Sequence, residues 1–159
     1  MKINLMGRAQ ESVKKVAISG AKEAVKFLHQ PEALEMTIKF VSPNEIKRLN
    51  EVMRRVDRET DVLSFPNLNI KAGEIVNLSA FKNNSETSFD GKNVYLGDCA
   101  LCLQVARAQA KEFEVSLESE VKKLVVHSVL HLLGYDHIED EDYLIMHEIE
   151  NKILGETDE

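Results

Sequence analysis

The stretch from about Leu117 to Leu133 constrains this chain more than any other, because its apolar residues cover more than one helical face. Leu117, Val121, Leu124, Val125, Val126, Val129, Leu130, Leu132 and Leu133 recur at three- and four-residue spacing and also fill positions between. A helix with one narrow apolar stripe lies on a surface, whereas one apolar over this much of its circumference is buried between a sheet and other helices. Ser116 is placed to cap its start, and Gly134 to end it.

The remaining segments supply what such a helix needs. KINLM near the start reads as a short strand, and Val13, Val16, Ala17, Ala21, Ala24, Val25 and Leu28 predict a helix from about residue 11 to 29, closed by Pro31. MTIKFV at 36–41 is a second strand, rich in β-branched and aromatic types. SPNEIKRLNEVMR follows as a helix with Ser42 as cap, Pro43 in the first turn and Glu45 completing a capping box. DVLSFP at 61–66 is a third strand, stopped by Pro66. Residues 67–93 are the least regular part; GEIVNLSAF reads as an extra strand and Asp90-Gly91 as a reversal. NVYLGDCALCL is then another strand, VARAQAKEF begins a helix, and a last helix from about 140 to 154 places Ile145, Ile149 and Ile153 on one side.

Two histidines interrupt the buried helix. His127 and His131 stand four apart, so both rings project from one face a turn apart and can reach a single ion. Gly134 frees the chain to turn, and His137 can fold back as a third ligand. Burying both helical imidazoles without a partner would strand polar nitrogens, which favours a metal over ordinary core histidines. Three protein nitrogens leave a fourth position for water, the arrangement of a catalytic zinc site. One zinc-type ion held by His127, His131 and His137 is therefore expected. His29 and His147 lack comparable context and are assigned ordinary packing or surface roles. Residue 128 is Ser, so the glutamate of an H-E-x-x-H peptidase helix is missing.

Charge and cysteine usage narrow the partners. The net charge of −7 argues against a broad basic nucleic-acid surface, but residues 138–159 carry nine acids and one lysine, leaving residues 1–137 at about +1. Local contact with RNA therefore stays open. No apolar run approaches the roughly 18 residues of a membrane span, and MKINLMGRAQESVKK lacks a signal-like apolar segment, so a cytoplasmic location is the default and no membrane partner is expected. Cys99 and Cys102 fall three apart in a strand, where alternation sends them to opposite faces; buried thiols are the expected outcome.

HSVLHLLGYDH, TDVLSFP at 60–66 and LGD at 96–98 together resemble the bacterial YbeY endoribonuclease family, in the same order and over most of the chain. The resemblance implies a compact α+β fold, one zinc ion, and a role in ribosomal RNA processing, especially at the 3′ end of the small-subunit rRNA, and in ribosome quality control. It implies single-stranded RNA, rRNA and the small ribosomal subunit or its assembly factors as partners. The fold class expected is a compact single α+β domain over 1–159, with a mixed β-sheet packed against helices around the histidine-bearing helix. The family's metal ligands correspond to His127, His131 and His137, and its important arginine to Arg54 in LNEVMR, where Met53 replaces the usual tyrosine. Ser128 replaces the usual glycine, and GDCALC stands where aliphatic residues are usual.

The resemblance makes Arg54 the candidate phosphate clamp, since guanidinium is a rigid, permanently charged fork of donors; otherwise it reads as a solvated helix residue. Arg55 and Arg58 read equally as RNA contacts or as surface ion pairs with Glu51, Asp57 and Glu59. Asp136 either orients a ligand histidine or bonds within its turn. Asp98, in a hydrophobic strand, is a candidate for the substrate cleft or for a group behind the ligands, while Asp61 braces the start of its strand. A zinc metallopeptidase and a non-enzymatic, zinc-stabilised ribosome-assembly factor are the two alternatives.

Overall fold

The structure, a computed structural model, describes residues 1–81 and 92–155. Strands β1 (Lys2–Met6), β2 (Leu34–Phe40), β3 (Val62–Pro66) and β4 (Val94–Leu101) form one sheet in the order β1-β2-β4-β3. β1, β2 and β4 run parallel, and β3 pairs antiparallel to β4, so the sheet is mixed as the sequence implies. Helices α1 (Glu11–Phe27), α2 (Pro43–Arg54), α3 (Leu78–Phe81), α4 (Leu103–Glu112), α5 (Leu117–Leu132) and α6 (Asp140–Leu154) complete the α+β fold.

The alternation along β4 shows how the layers form. Cys99 and Leu101 belong to the main core, shared with Val13, Ala17 and Ala21 of α1 and Val121, Val125 and Val129 of α5. Ala100 instead joins a second core with Leu63 and with Ile46 of α2. α1 and α5 therefore cover one face of the sheet, and α2 the other. Val121, Val125, Val126, Val129, Leu130 and Leu132 of α5 are all fully buried, which fulfils the expectation from its wide apolar surface. Truncating any one of the leucines would cost about 2–5 kcal/mol.

Local chemistry sets the ends of these elements. Ser42 Oγ accepts from the Glu45 backbone N–H at 3.1 Å and Ser116 Oγ from that of Ser119 at 3.0 Å, so both expected N-caps form. At Gly97, φ is +141° and a Cβ would lie 2.2 Å from the Phe65 carbonyl oxygen, so only glycine lets β3 approach β4 where the β2–β4 register shifts.

Three expectations change. GEIVNLSAF contains no strand: residues 73–77 are irregular, and Leu78–Phe81 form a short helix. Its β-branched content is only Ile75 and Val76, and the segment finds neither sheet edge. The expected stripe on α6 is rotated, because Ile145 is 47% exposed whereas Met146 is 2% exposed. Cys102 lies beyond the end of β4 as the N-cap residue of α4, although both thiols are free and buried as anticipated. The Asp90-Gly91 reversal falls outside the described residues. Among those residues no helix is long and apolar enough to cross a membrane.

Candidate metal centre

α5 brings His127 and His131 onto one face, and the turn after Gly134 returns His137 to them. One ligand atom from each of the three histidines lies within 4.8 Å of the others. The Nε2 atoms of His127 and His131 are 3.0 Å apart. A tetrahedral ion with nitrogen ligands at about 2.0–2.1 Å spaces them roughly 3.4 Å apart, so small adjustments accommodate zinc. Gly134 has φ +95°, and a Cβ there would lie 2.0 Å from the Ile70 carbonyl oxygen. The turn that returns His137 is thus wedged against the segment after β3 and requires glycine.

Glu150, on α6, fixes the His127 ring. Its Oε1 lies 2.5 Å from His127 Nδ1. A carboxylate there accepts a hydrogen bond from Nδ1–H and leaves the Nε2 lone pair facing His131. His131 is pushed down to about 4, chiefly by burial and then by the neighbouring His127 and His137, while a hydrogen bond with the Tyr135 backbone opposes the shift. Its ring is therefore neutral near pH 7, the state a metal ligand requires. Asp136 takes the turn role: its Oδ1 accepts the His137 backbone N–H at 2.6 Å, whereas His137 Nδ1 is 3.8 Å away, beyond hydrogen-bond range. Glu150 was not singled out in the sequence; 23 residues separate it from His127, and it stands among the acids of the last helix.

The triad opens into a cleft of about 940 Å³. Arg54, the exposed last residue of α2, lines it, together with Lys123 of α5 and Phe113 beyond α4. Arg55 and Arg58 are not among the lining residues. Glu120 closes part of the cleft as a nearly buried carboxyl; burial raises its pKa, and Lys123, with Nζ 4.0 Å from Oε2, acts against the rise. Asp61 Oδ1 accepts the Val62 N–H at 2.7 Å, the strand-bracing role expected of it. His147 also lines the cleft and stacks on Tyr143, while His29 sits in the turn after α1.

Asp98 is not brought to the triad. It pairs across β3 with Phe65, on the face covered by α2, whereas its neighbours Cys99 and Ser64 face α5, where Ser64 Oγ meets Ser128 Oγ at 2.8 Å. Asp98 instead accepts from the Tyr95 hydroxyl and lies 4.0 Å from Lys39 Nζ. The sheet stands between it and the histidines.

Comparison with known proteins agrees with this geometry. The model of the family described as Endoribonuclease YbeY matches residues 3–158. Endoribonuclease YbeY of Clostridium beijerinckii is 45% identical over 139 residues, covering 84% of this chain and 83% of the relative. Its counterpart in Caldicellulosiruptor saccharolyticus is 38% identical over 144 residues, covering 91% and 86%. The solution structure of TM1509 from Thermotoga maritima superimposes with a TM-score of 0.59 at 26% identity, covering 96% of this chain and 86% of that one.

Proposed function

This chain belongs to the YbeY endoribonuclease family, and we propose that it is a zinc-dependent endoribonuclease that cleaves single-stranded RNA during ribosomal RNA maturation and quality control. The observation that carries the chemistry is the convergence of His127, His131 and His137 at the floor of an open cleft lined by Arg54. His127 and His131 would hold the ion from a rigid, buried helix, and His137 would complete the set from the turn. A zinc ion held there supplies Lewis-acid polarisation of a phosphoryl oxygen or activation of water near neutral pH. Glu150 keeps a proton on His127 Nδ1 and so keeps Nε2 available. Arg54 offers its donor fork to the phosphodiester and stabilises the charge that develops on it. Asp98, behind the sheet, has no part in these steps, and Asp136 acts by shaping the His137 turn. The substrate is ribosomal RNA at the 3′ end of the small-subunit rRNA, met on the small ribosomal subunit or its assembly intermediates in the cytoplasm.

The two alternatives find less support. A zinc peptidase of the H-E-x-x-H type needs its base at position 128, and Ser128 is fully buried against Ser64. Glu150 is engaged on the far nitrogen of His127. A purely structural zinc would be closed by a fourth protein ligand, and among the described residues the metal-competent group consists of three histidines. The test is cleavage of labelled single-stranded RNA carrying an rRNA 3′ extension by the zinc-loaded protein, with His131→Ala and Arg54→Ala in parallel. Metal-dependent cleavage lost in the histidine variant supports the proposal; intact zinc binding without any cleavage refutes it in favour of an assembly role.

A further inference from the structure

We infer that Phe113 and Tyr143 are base-stacking platforms that bracket the metal centre and hold the nucleotides on either side of the phosphate to be cleaved, an inference that rests on the endoribonuclease function proposed above. Both rings line the cleft, and they are 53% and 51% exposed. A lone exposed apolar residue is ordinary on a protein surface, but two half-open rings in the wall of the cleft that holds the metal triad are placed where substrate must pass.

Each ring has a neighbour against one face. Lys123 Nζ lies 5.1 Å over the Phe113 centroid, and Tyr143 stacks on His147 with centroids 5.7 Å apart and planes 8° from parallel. An aromatic side chain, with only two χ angles, loses little entropy when a base stacks on it. Lys123 also leaves an ammonium beside Phe113 for the phosphate of the same nucleotide.

Their positions along the helices place them on opposite sides of the triad. Lys123 precedes His127 by one turn of α5, so Phe113 stands toward the start of that helix. Glu150 anchors α6 to His127, and Tyr143 precedes Glu150 by seven residues, about 10 Å along the axis, toward the turn that carries His137. A strand lying along α5 past the ion would thus meet one ring before the metal and the other after it. A base inside a duplex is already stacked on its neighbours and cannot use either platform, whereas an unpaired base can use both.

The test mixes the zinc-loaded full chain with short single-stranded RNA carrying 2-aminopurine, whose fluorescence is quenched when it stacks. Rapid mixing reads binding and quenching before cleavage, and gel analysis of the same samples reads cleavage. Phe113→Leu and Tyr143→Ala remove the rings, whereas Tyr143→Phe keeps its ring and removes only the hydroxyl. Loss of either ring is expected to weaken binding roughly 5- to 150-fold and abolish the quench at one nucleotide position, with zinc content unchanged. Tyr143→Phe is expected to bind and quench within about twofold of the original protein. If the original protein binds and cleaves RNA and both ring-removal variants match it in affinity and quenching, the platforms are refuted while the endoribonuclease function stands. If the original protein neither binds nor cleaves RNA, that function fails and the platforms fall with it.

Discussion

Replacing Glu150 measures what holding the His127 ring contributes to the metal site. The Glu150–His127 contact is 2.5 Å long, and the two side chains are only 12% and 27% exposed, so solvent screens it weakly. A hydrogen bond to a charged group in such a setting is worth about 1.5–3 kcal/mol, or roughly 10- to 150-fold in a binding constant. Losing a partner behind a metal ligand typically costs about 10- to 100-fold in metal affinity. The two ranges overlap, and Glu150→Ala is expected to raise the zinc Kd by about 10- to 100-fold. Glu150→Gln keeps an acceptor oxygen but loses the charge, and a neutral bond is about half as strong, so an increase of roughly 3- to 10-fold is expected. The assay is competition for zinc against a chromogenic chelator near neutral pH, with circular dichroism to confirm that α6 remains helical. Glu148→Ala serves as control, because Glu148 is exposed on the same helix and pairs with Lys152 at 3.0 Å. Zinc affinities of both Glu150 variants within about twofold of the original, in folded protein, would refute the ring-holding role.

His131→Ala removes one of the two half-buried histidine rings and is expected to abolish stoichiometric zinc binding, read by metal analysis after gel filtration, together with RNA cleavage. Arg54→Ala should lower kcat/KM on RNA by on the order of 100- to 1000-fold with zinc affinity intact, and Arg54→Lys should recover little because lysine cannot present a fork. Gly134→Ala, which would place a methyl 2.0 Å from the Ile70 oxygen at φ +95°, should cost more than about 2 kcal/mol in urea denaturation and weaken zinc binding by displacing His137. Burial pushes the Cys99 thiol up to about 12, and burial with the Asp98 hydrogen bond pushes the Tyr95 hydroxyl up to about 12, from ordinary values of 9.0 and 10.0. The unfolded chain releases both protons earlier than the folded one, so the contribution of these two groups is constant below about pH 9 and stability should fall as pH rises from there toward 12, as chemical denaturation at a series of alkaline pH values would show.

The parts of the fold visible in the sequence are those that depend on neighbours in the chain. β1 and α6 fall at the expected residues, and the caps at Ser42 and Ser116 form because a cap is settled within four residues. The clustering of His127, His131 and His137 was legible for the same reason: four-residue spacing on a helix and a glycine turn determine its geometry almost without tertiary context. Glu150 was not legible, because its meeting with His127 depends on how α6 packs against α5, and nothing in a run of acids marks one as special. The placement of Asp98 was hidden for a related reason. A carboxylate in an apolar strand is conspicuous in sequence, but strand parity decides which face receives it, and the pairing of Ser64 with Cys99 sends Asp98 to the α2 side.

Position 128 shows how packing, rather than helical periodicity alone, limits the chemistry of this site. On a helix that presents His127 and His131 to a cleft, the residue after the first histidine is rotated about 100° away. In this fold that direction meets the sheet, where Ser128 is fully buried and its hydroxyl lies 2.8 Å from that of Ser64. A glutamate there would have to bury its carboxylate against the sheet and the Ser64 hydroxyl, at a cost of several kcal/mol. The general base of a zinc peptidase is therefore excluded from this helix by the close approach of α5 to β3, and the small residue that position requires is the same one that lets the sheet back the metal site. Charge stabilisation must then enter from the open side of the cleft, where the end of α2 carries Arg54. A permanently charged cation lining the same open cleft as three metal-competent histidines suits an anionic polymer better than a neutral peptide, and so favours a phosphodiester as substrate.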